Sequence, residues 1–141
     1  MRWLGSMIDD GGQFGYDRPR NSPEGTVTLT AMGAFCMFMA SETEASSSSG
    51  ILTQLKKAIV SSKLEDANSD FYRCYFQASA FNTAKTKECD KMLAKLQRSL
   101  LAVQERSGRN AGSWSPGDRW GSAGGRIYST AVAALALELK P

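Results

Sequence analysis

Histidine is absent from the 141 residues of this chain. Its absence removes the commonest general base and the commonest zinc ligand together. A Ser-His-Asp or Cys-His mechanism built from this chain alone is therefore excluded. We expect no catalytic residues, no metal site and no cofactor.

Cysteine is also scarce. The three residues Cys36, Cys74 and Cys89 are an odd number and form no CxxC pair, so the spacing does not indicate a disulfide framework or a zinc ribbon. Each lies in a predicted helix. We predict that all three are small buried apolar residues.

Long apolar runs are missing too. The longest, residues 31–40, is about half the length that a bilayer requires. The first eight residues are too short for a signal peptide and are followed by Asp9 and Asp10. We expect no membrane segment in this chain and, by default, a soluble cytoplasmic protein, with the true compartment unknown.

Charge of one sign is not concentrated anywhere that suggests a polyanionic partner. The formal net charge is +3 and the isoelectric point about 8.8. One predicted helix carries a lysine stripe, which we interpret as a solvated face. We expect no nucleic-acid partner.

What is present is a helical pattern. Almost wholly apolar segments alternate with amphipathic ones, in which apolar residues recur at helical spacing. The apolar segments are 26–40, 71–83 and 127–139, and the amphipathic ones are 51–59 and 89–103. Because a helix that is apolar all round is buried all round, we predict an all-α fold with an inner and an outer layer. Loops are predicted at 9–25, 41–50 and 107–125.

The chain also repeats itself. Without a gap, residues 12–14 (GQF) align with 112–114 (GSW), Gly25 with Gly125, and residues 30–31 (TA) with 130–131 (TA). A third copy, residues 75–80, lacks the glycine-aromatic loop. We predict a single domain, 1–141, with repeats at approximately 1–42, 50–83 and 86–140. Such repeats imply a curved or closed array of helical hairpins.

These motifs resemble those of a known family. The segment LLAVQ at 100–104, followed by GSW at 112–114, resembles the QW motif of squalene cyclase and prenyltransferase-type repeats. Residues 112–139 are similar to the final repeat of squalene-cyclase-like repeat proteins from bacteria. The resemblance implies an α/α toroid, of which this chain supplies about three hairpins as a partial barrel. Four motif residues are expected to tie the repeats together: Phe14, Gln104, Gly112 and Trp114.

The resemblance also shows which chemistry is missing. Squalene-type cyclases use an Asp-x-Asp-Asp acid, whereas this chain has only Asp9 and Asp10. Protein prenyltransferases bind zinc through Asp, Cys and His, and this chain has no His. We therefore expect a non-catalytic or partial toroid module. Two alternatives stay open: the C-terminal half of a squalene-cyclase-like enzyme whose acid lies upstream, or a carbohydrate-active toroid.

The second alternative would use paired carboxylates, and its candidates are Asp17, Glu24, Asp118 and Glu138. Two of them would have to converge within about 5 to 10 Å.

A binding role needs different residues. In a toroid the inner helices face a central cavity, and aromatic side chains there would suit an isoprenoid-like ligand or a sugar. The candidates are Tyr72, Tyr75, Trp120, Arg126 and Tyr128. The alternative is that these aromatic residues simply fill the core.

The expected array is incomplete, because a closed toroid needs more hairpins than the chain supplies. An uncapped array exposes an apolar face. We expect that face to be covered either by an upstream half of the toroid or by another copy in a homo-oligomer.

Overall fold

The computed structural model describes residues 2–19, 23–41, 49–62, 64 and 70–140. These residues form six α-helices and no strand, so the all-α prediction is confirmed. The helices are α1 (Arg2–Gly5), α2 (Pro23–Ser41), α3 (Ser49–Ser61), α4 (Phe71–Ala84), α5 (Lys87–Ala102) and α6 (Gly121–Glu138). None of them is long and apolar enough to cross a membrane. Most of the loop predicted at 41–50 falls on residues 42–48, outside the described part.

Side-chain caps fix the α4–α5 hairpin. Asp70 is the N-cap of α4, and its carboxylate accepts a hydrogen bond from the Arg73 backbone N–H at 2.9 Å. The Thr86 hydroxyl caps α5 by accepting from the Cys89 N–H at 3.2 Å. Between the helices, Lys85 ends α4 in the left-handed conformation (φ 49°). Such a short connection makes α4 and α5 an antiparallel pair.

The helices form two layers. In the inner layer α2, α4 and α6 lie side by side with α4 in the middle, while α3 and α5 pack against them from outside. Tyr72 at the start of α4 contacts Trp120 at the start of α6, and Asn82 near the end of α4 donates a hydrogen bond to the Lys140 carbonyl just after α6. The inner helices α4 and α6 therefore run in the same direction.

The amphipathic pattern correctly predicts the inward faces of the outer helices. On α3, Leu55 and Ile59 are buried, as are Cys89, Leu93 and Leu100 on α5. They join one core with the inner helices. Burial of these apolar surfaces is the main stabilising term for the two-layer arrangement.

The prediction that the inner helices are buried on every side is wrong for α2 and α6. On α2, Cys36 is exposed and Met39 is 48% exposed. On α6, Ile127 is 87% and Leu135 47% exposed. The reason is their position, since α4 has an inner helix on both sides whereas α2 and α6 each have a described inner neighbour on one side only. The prediction that Cys36 is buried is also wrong.

The aromatic turns before α2 and α6 have the same geometry. The Phe14 backbone N–H donates to the Thr30 hydroxyl at 3.0 Å, and the Trp114 N–H donates to the Thr130 hydroxyl at 3.2 Å. Two residues before each aromatic ring, Gly12 (φ 80°) and Gly112 (φ 85°) adopt the left-handed conformation that favours glycine. The repeat read in the sequence is thus present in the backbone.

The QW-like residues connect the parts of one repeat. The Trp114 indole N–H donates to the Leu100 carbonyl at 2.8 Å, near the end of α5. The Gln104 side-chain amide donates to the Gly112 carbonyl, also at 2.8 Å. Together with the Thr130 bond, these contacts join α5, the turn and α6. Their hydrogen bonds lie within a repeat, whereas we had expected them to tie one repeat to the next.

We predict that Trp114→Ala lowers the free energy of unfolding by about 3 to 5 kcal/mol. The ring is only 2% exposed, and its loss leaves a cavity and removes one of the two hydrogen bonds that the Leu100 carbonyl accepts, the other coming from the Val103 N–H. Urea denaturation followed by circular dichroism measures the change. The control is Trp3→Ala, which removes an exposed ring and should cost much less. A loss below about 1 kcal/mol for Trp114→Ala would contradict this role of the ring.

Candidate binding site

A cavity of about 490 Å³ lies between the starts of α4 and α6. It is lined by three aromatic and two small residues: Tyr72, Trp120, Tyr128, Ala123 and Gly124. Three of the five candidates from the sequence are therefore brought together here. The parallel course of α4 and α6 explains why, since it places the first turns of both helices side by side.

The rings at the cavity are packed edge to face. The centroids of Tyr72 and Trp120 lie 6.2 Å apart with an interplanar angle of 63°. On the other side, Tyr72 meets Phe76 at 4.9 Å and 70°. Aromatic pairs prefer this geometry, and each contributes about 0.5 to 1.5 kcal/mol beyond its buried area. The cavity wall is thus held by ring contacts that need no ligand.

Two of the candidates lie outside the lining of this cavity. The Tyr75 ring contacts Phe76 at 5.2 Å, and Phe76 in turn contacts Tyr72. Arg126 donates to the Glu105 carboxylate at 2.6 Å and to the Ser113 hydroxyl at 3.0 Å. Its guanidinium therefore holds the turn before α6 against the end of α5.

The start of α6 is bent at Gly125, which has φ 64° and ψ −169° within the helix. A residue with a side chain is strained at such a φ, so glycine suits this position. The bend separates the turn carrying Trp120, Ala123 and Gly124 from the helix carrying Tyr128. The cavity lies where these two segments meet α4.

Two buried carboxylates lie beside the aromatic residues. Asp70 caps α4 immediately before Tyr72. Asp118 is 6% exposed, and its Oδ2 accepts from the Phe71 backbone N–H at 3.3 Å. Its Oδ1 is buried without a hydrogen-bond partner in the described part of the chain. A buried carboxylate oxygen without a partner is costly, and Asp118 is not among the residues that line the cavity.

Sequence reasoning missed Asp70 and Phe76 as neighbours of this site. Nothing local in the sequence places Asp70 near Tyr128. Asp118 was considered as a hydrolytic carboxylate. Its position two residues before Trp120 is the one signal that relates it to the cavity.

The phenol of Tyr128 responds to this environment. Its pKa is raised above the ordinary tyrosine value, first by desolvation and then by the negative charges of Asp118 and Asp70 and by the neighbouring Tyr72. Both effects disfavour the phenolate. At neutral pH the Tyr128 hydroxyl at the cavity is therefore neutral.

Two of the carboxylates proposed for hydrolysis lie far apart. Asp118 precedes α6 and Glu138 ends it, and the part of α6 after the bend, residues 126–138, is alone about 18 Å long. Asp17 is exposed and lies 3.5 Å from Arg18, and the Glu24 side chain lies outside the described part. Asp118 and Glu138 therefore do not form the close pair that glycoside hydrolysis needs.

The remaining acidic motif, Asp9 and Asp10, belongs to the first aromatic turn. Asp9 Oδ1 accepts from the backbone N–H groups of Gly11 and Gln13, both at 2.9 Å. This is the turn-forming role that aspartate often has. Across the described residues, no three His, Cys, Asp or Glu side chains are grouped in a way that could hold a metal ion.

Comparison of the chain with models of protein families, with curated proteins and with solved structures gave no match. Its similarity to squalene cyclase and prenyltransferase repeats therefore remains a resemblance of motifs.

We predict that one tyrosine of this chain titrates above the usual range. Ultraviolet absorbance of the phenolates, followed from pH 9 to pH 13, should lose its highest-pH component in Tyr128→Phe. Because folding raises this pKa, the native state holds the proton more tightly than the unfolded state. Above pH 10, the usual tyrosine pKa being about 10, the wild type should therefore lose stability relative to Tyr128→Phe. An unchanged titration curve apart from its amplitude would contradict the prediction.

Proposed function

We propose that this chain is a non-catalytic module similar to the α/α-toroid repeats of squalene cyclases and prenyltransferases, and that it binds an isoprenoid-like hydrophobic ligand. The observation that carries the proposal is the shared lining of one cavity by Tyr72, Trp120 and Tyr128. Its volume, about 490 Å³, falls within the usual range for small-molecule sites. Aromatic walls with few polar groups suit an apolar body.

The acidic groups favour binding over catalysis. Asp9 and Asp10 form the adjacent acid pair of the first aromatic turn. One carboxylate oxygen of Asp9 accepts hydrogen bonds from two backbone N–H groups. Asp118 and Glu138 stand at opposite ends of α6. An acid poised for proton transfer needs a partner or a substrate-facing position, whereas Asp9 and Asp118 accept hydrogen bonds from backbone N–H groups.

The charges near the cavity limit the class of ligand that it would bind. The charged groups that act on Tyr128 are the carboxylates of Asp118 and Asp70. Their negative charge favours an uncharged ligand end, such as a hydroxyl group. It disfavours an anionic end, because bringing negative charges together in a poorly hydrated site is unfavourable. A prenyl alcohol fits this description better than a prenyl diphosphate.

We predict that farnesol binds this cavity and that Trp120→Ala weakens the binding by about tenfold or more. A central aromatic contact commonly contributes more than 1 kcal/mol to binding. Isothermal titration calorimetry measures the affinity without relying on tryptophan emission. Trp120 is partly exposed, so its removal should leave the fold intact. Farnesyl diphosphate should bind more weakly than the alcohol.

The matched control is Tyr16→Ala, which removes another exposed ring and lies at a second apolar cavity between α1 and α2. Binding of farnesol should be unchanged in this variant. If Tyr16→Ala weakened binding and Trp120→Ala did not, the ligand would occupy the second cavity and the proposed site would be wrong. No heat of binding with any prenyl alcohol would reject the proposed ligand class.

A further inference from the structure

The free sides of α2 and α6 each carry an apolar stripe. On α6, Ile127, Ala131 and Leu135 recur every four residues and are all exposed. On α2, Cys36 and Met39 are exposed on the side away from α4. We call these the α6 face and the α2 face. Single exposed apolar residues are common, but aligned ones indicate an interaction surface.

The internal repeat shows how the residues equivalent to each face are packed in the other helix. The α6 face residue Ala131 corresponds to Ala31, which is 2% exposed in α2, the helix that packs chiefly on α4. Likewise Leu135 corresponds to Phe35, which packs against the core. The surface that α6 leaves open is therefore the surface that α2 covers with the next inner helix.

The α2 face shows the reverse relation. Cys36 corresponds to Ala136, which is fully buried in α6, and Met39 corresponds to Leu139, which packs against the core. The chief packing partner of α6 is also α4. The surface that α2 leaves open is thus the one that α6 covers with the preceding inner helix. The contact between neighbouring inner helices occurs twice within the chain, between α2 and α4 and between α4 and α6. The chain therefore carries, on its free sides, both of the surfaces that such a contact needs.

We propose that two copies of this chain associate head to tail, with the α6 face of one copy packed on the α2 face of the next. The contact continues the α2–α4–α6 packing across the junction, so α2 of the second copy takes the place that a further inner helix would take. Beside the α2 face, the second cavity, lined by Trp3, Tyr16 and Met32 among others, gives a recess of about 490 Å³ for protruding side chains. Such an interface joins unlike surfaces, so it forms a closed ring or an open chain depending on its rotation.

Three substitutions with matched exposure test the proposal: Leu135→Glu on the α6 face, Met39→Glu on the α2 face, and Leu101→Glu on α5 as the control. The three side chains are 47%, 48% and 43% exposed, so each variant should fold with nearly unchanged circular dichroism and thermal midpoint. Sedimentation velocity over a range of protein concentrations gives the mass. The wild type and Leu101→Glu should associate, while Leu135→Glu and Met39→Glu should each be monomeric.

Mixing the two monomeric variants tests the head-to-tail arrangement. The Met39→Glu copy keeps an intact α6 face and the Leu135→Glu copy keeps an intact α2 face, so the mixture should form a heterodimer through one native junction. Association lost in Leu135→Glu alone would mean that α6 packs on α6, and would overturn the proposal. A monomeric wild type, or a wild-type assembly unaffected by both substitutions, would overturn it as well.

Discussion

One hydrogen bond links each of the inner helices α2 and α6 to the aromatic turn before it. A backbone N–H, from Phe14 or Trp114, donates to a threonine hydroxyl one turn or more into the following helix. Both N–H groups belong to residues with buried rings, where an unpaired amide would be costly. The threonine therefore holds the turn against the helix that follows it.

The second constraint is the closeness of the inner helices. Small residues on α4, Ala78 and Ala80, are fully buried, as is Ala133 on α6. Small side chains let helix axes approach closely and let the rings at the helix starts meet, as Tyr72 and Trp120 do at 6.2 Å. Buried alanines contribute little apolar area each. Much of the buried area therefore comes from larger side chains on the outer helices and α4, such as Leu55, Leu93 and Phe81.

Local patterns in the sequence predicted local structure well. Helical spacing identified the buried faces of α3 and α5, and Asp70 was recognisable as a cap because its carboxylate acts three residues away. Relations between distant residues were not predictable in the same way. Arg126 resembled a site residue, but its partner Glu105 lies 21 residues earlier. The unpaired oxygen of Asp118 depends on how a loop meets α4, which no spacing in the sequence encodes.

The apolar residues of α6 show again that the sequence does not predict which elements lie next to one another. The composition of 127–139 predicts a helix that is buried on all sides, and the exposure of Ile127 and Leu135 contradicts that prediction. The composition did not reveal that one side has no neighbour among the described helices, because composition carries no information on which element lies where. Ile127 in water contributes nothing to folding, since burial is what makes an apolar side chain stabilising. Of this stripe, Ala131 corresponds to the buried Ala31 and Leu135 to Phe35, which packs against the core. The stripe is therefore better explained by the proposed contact between copies than by a need of the fold itself.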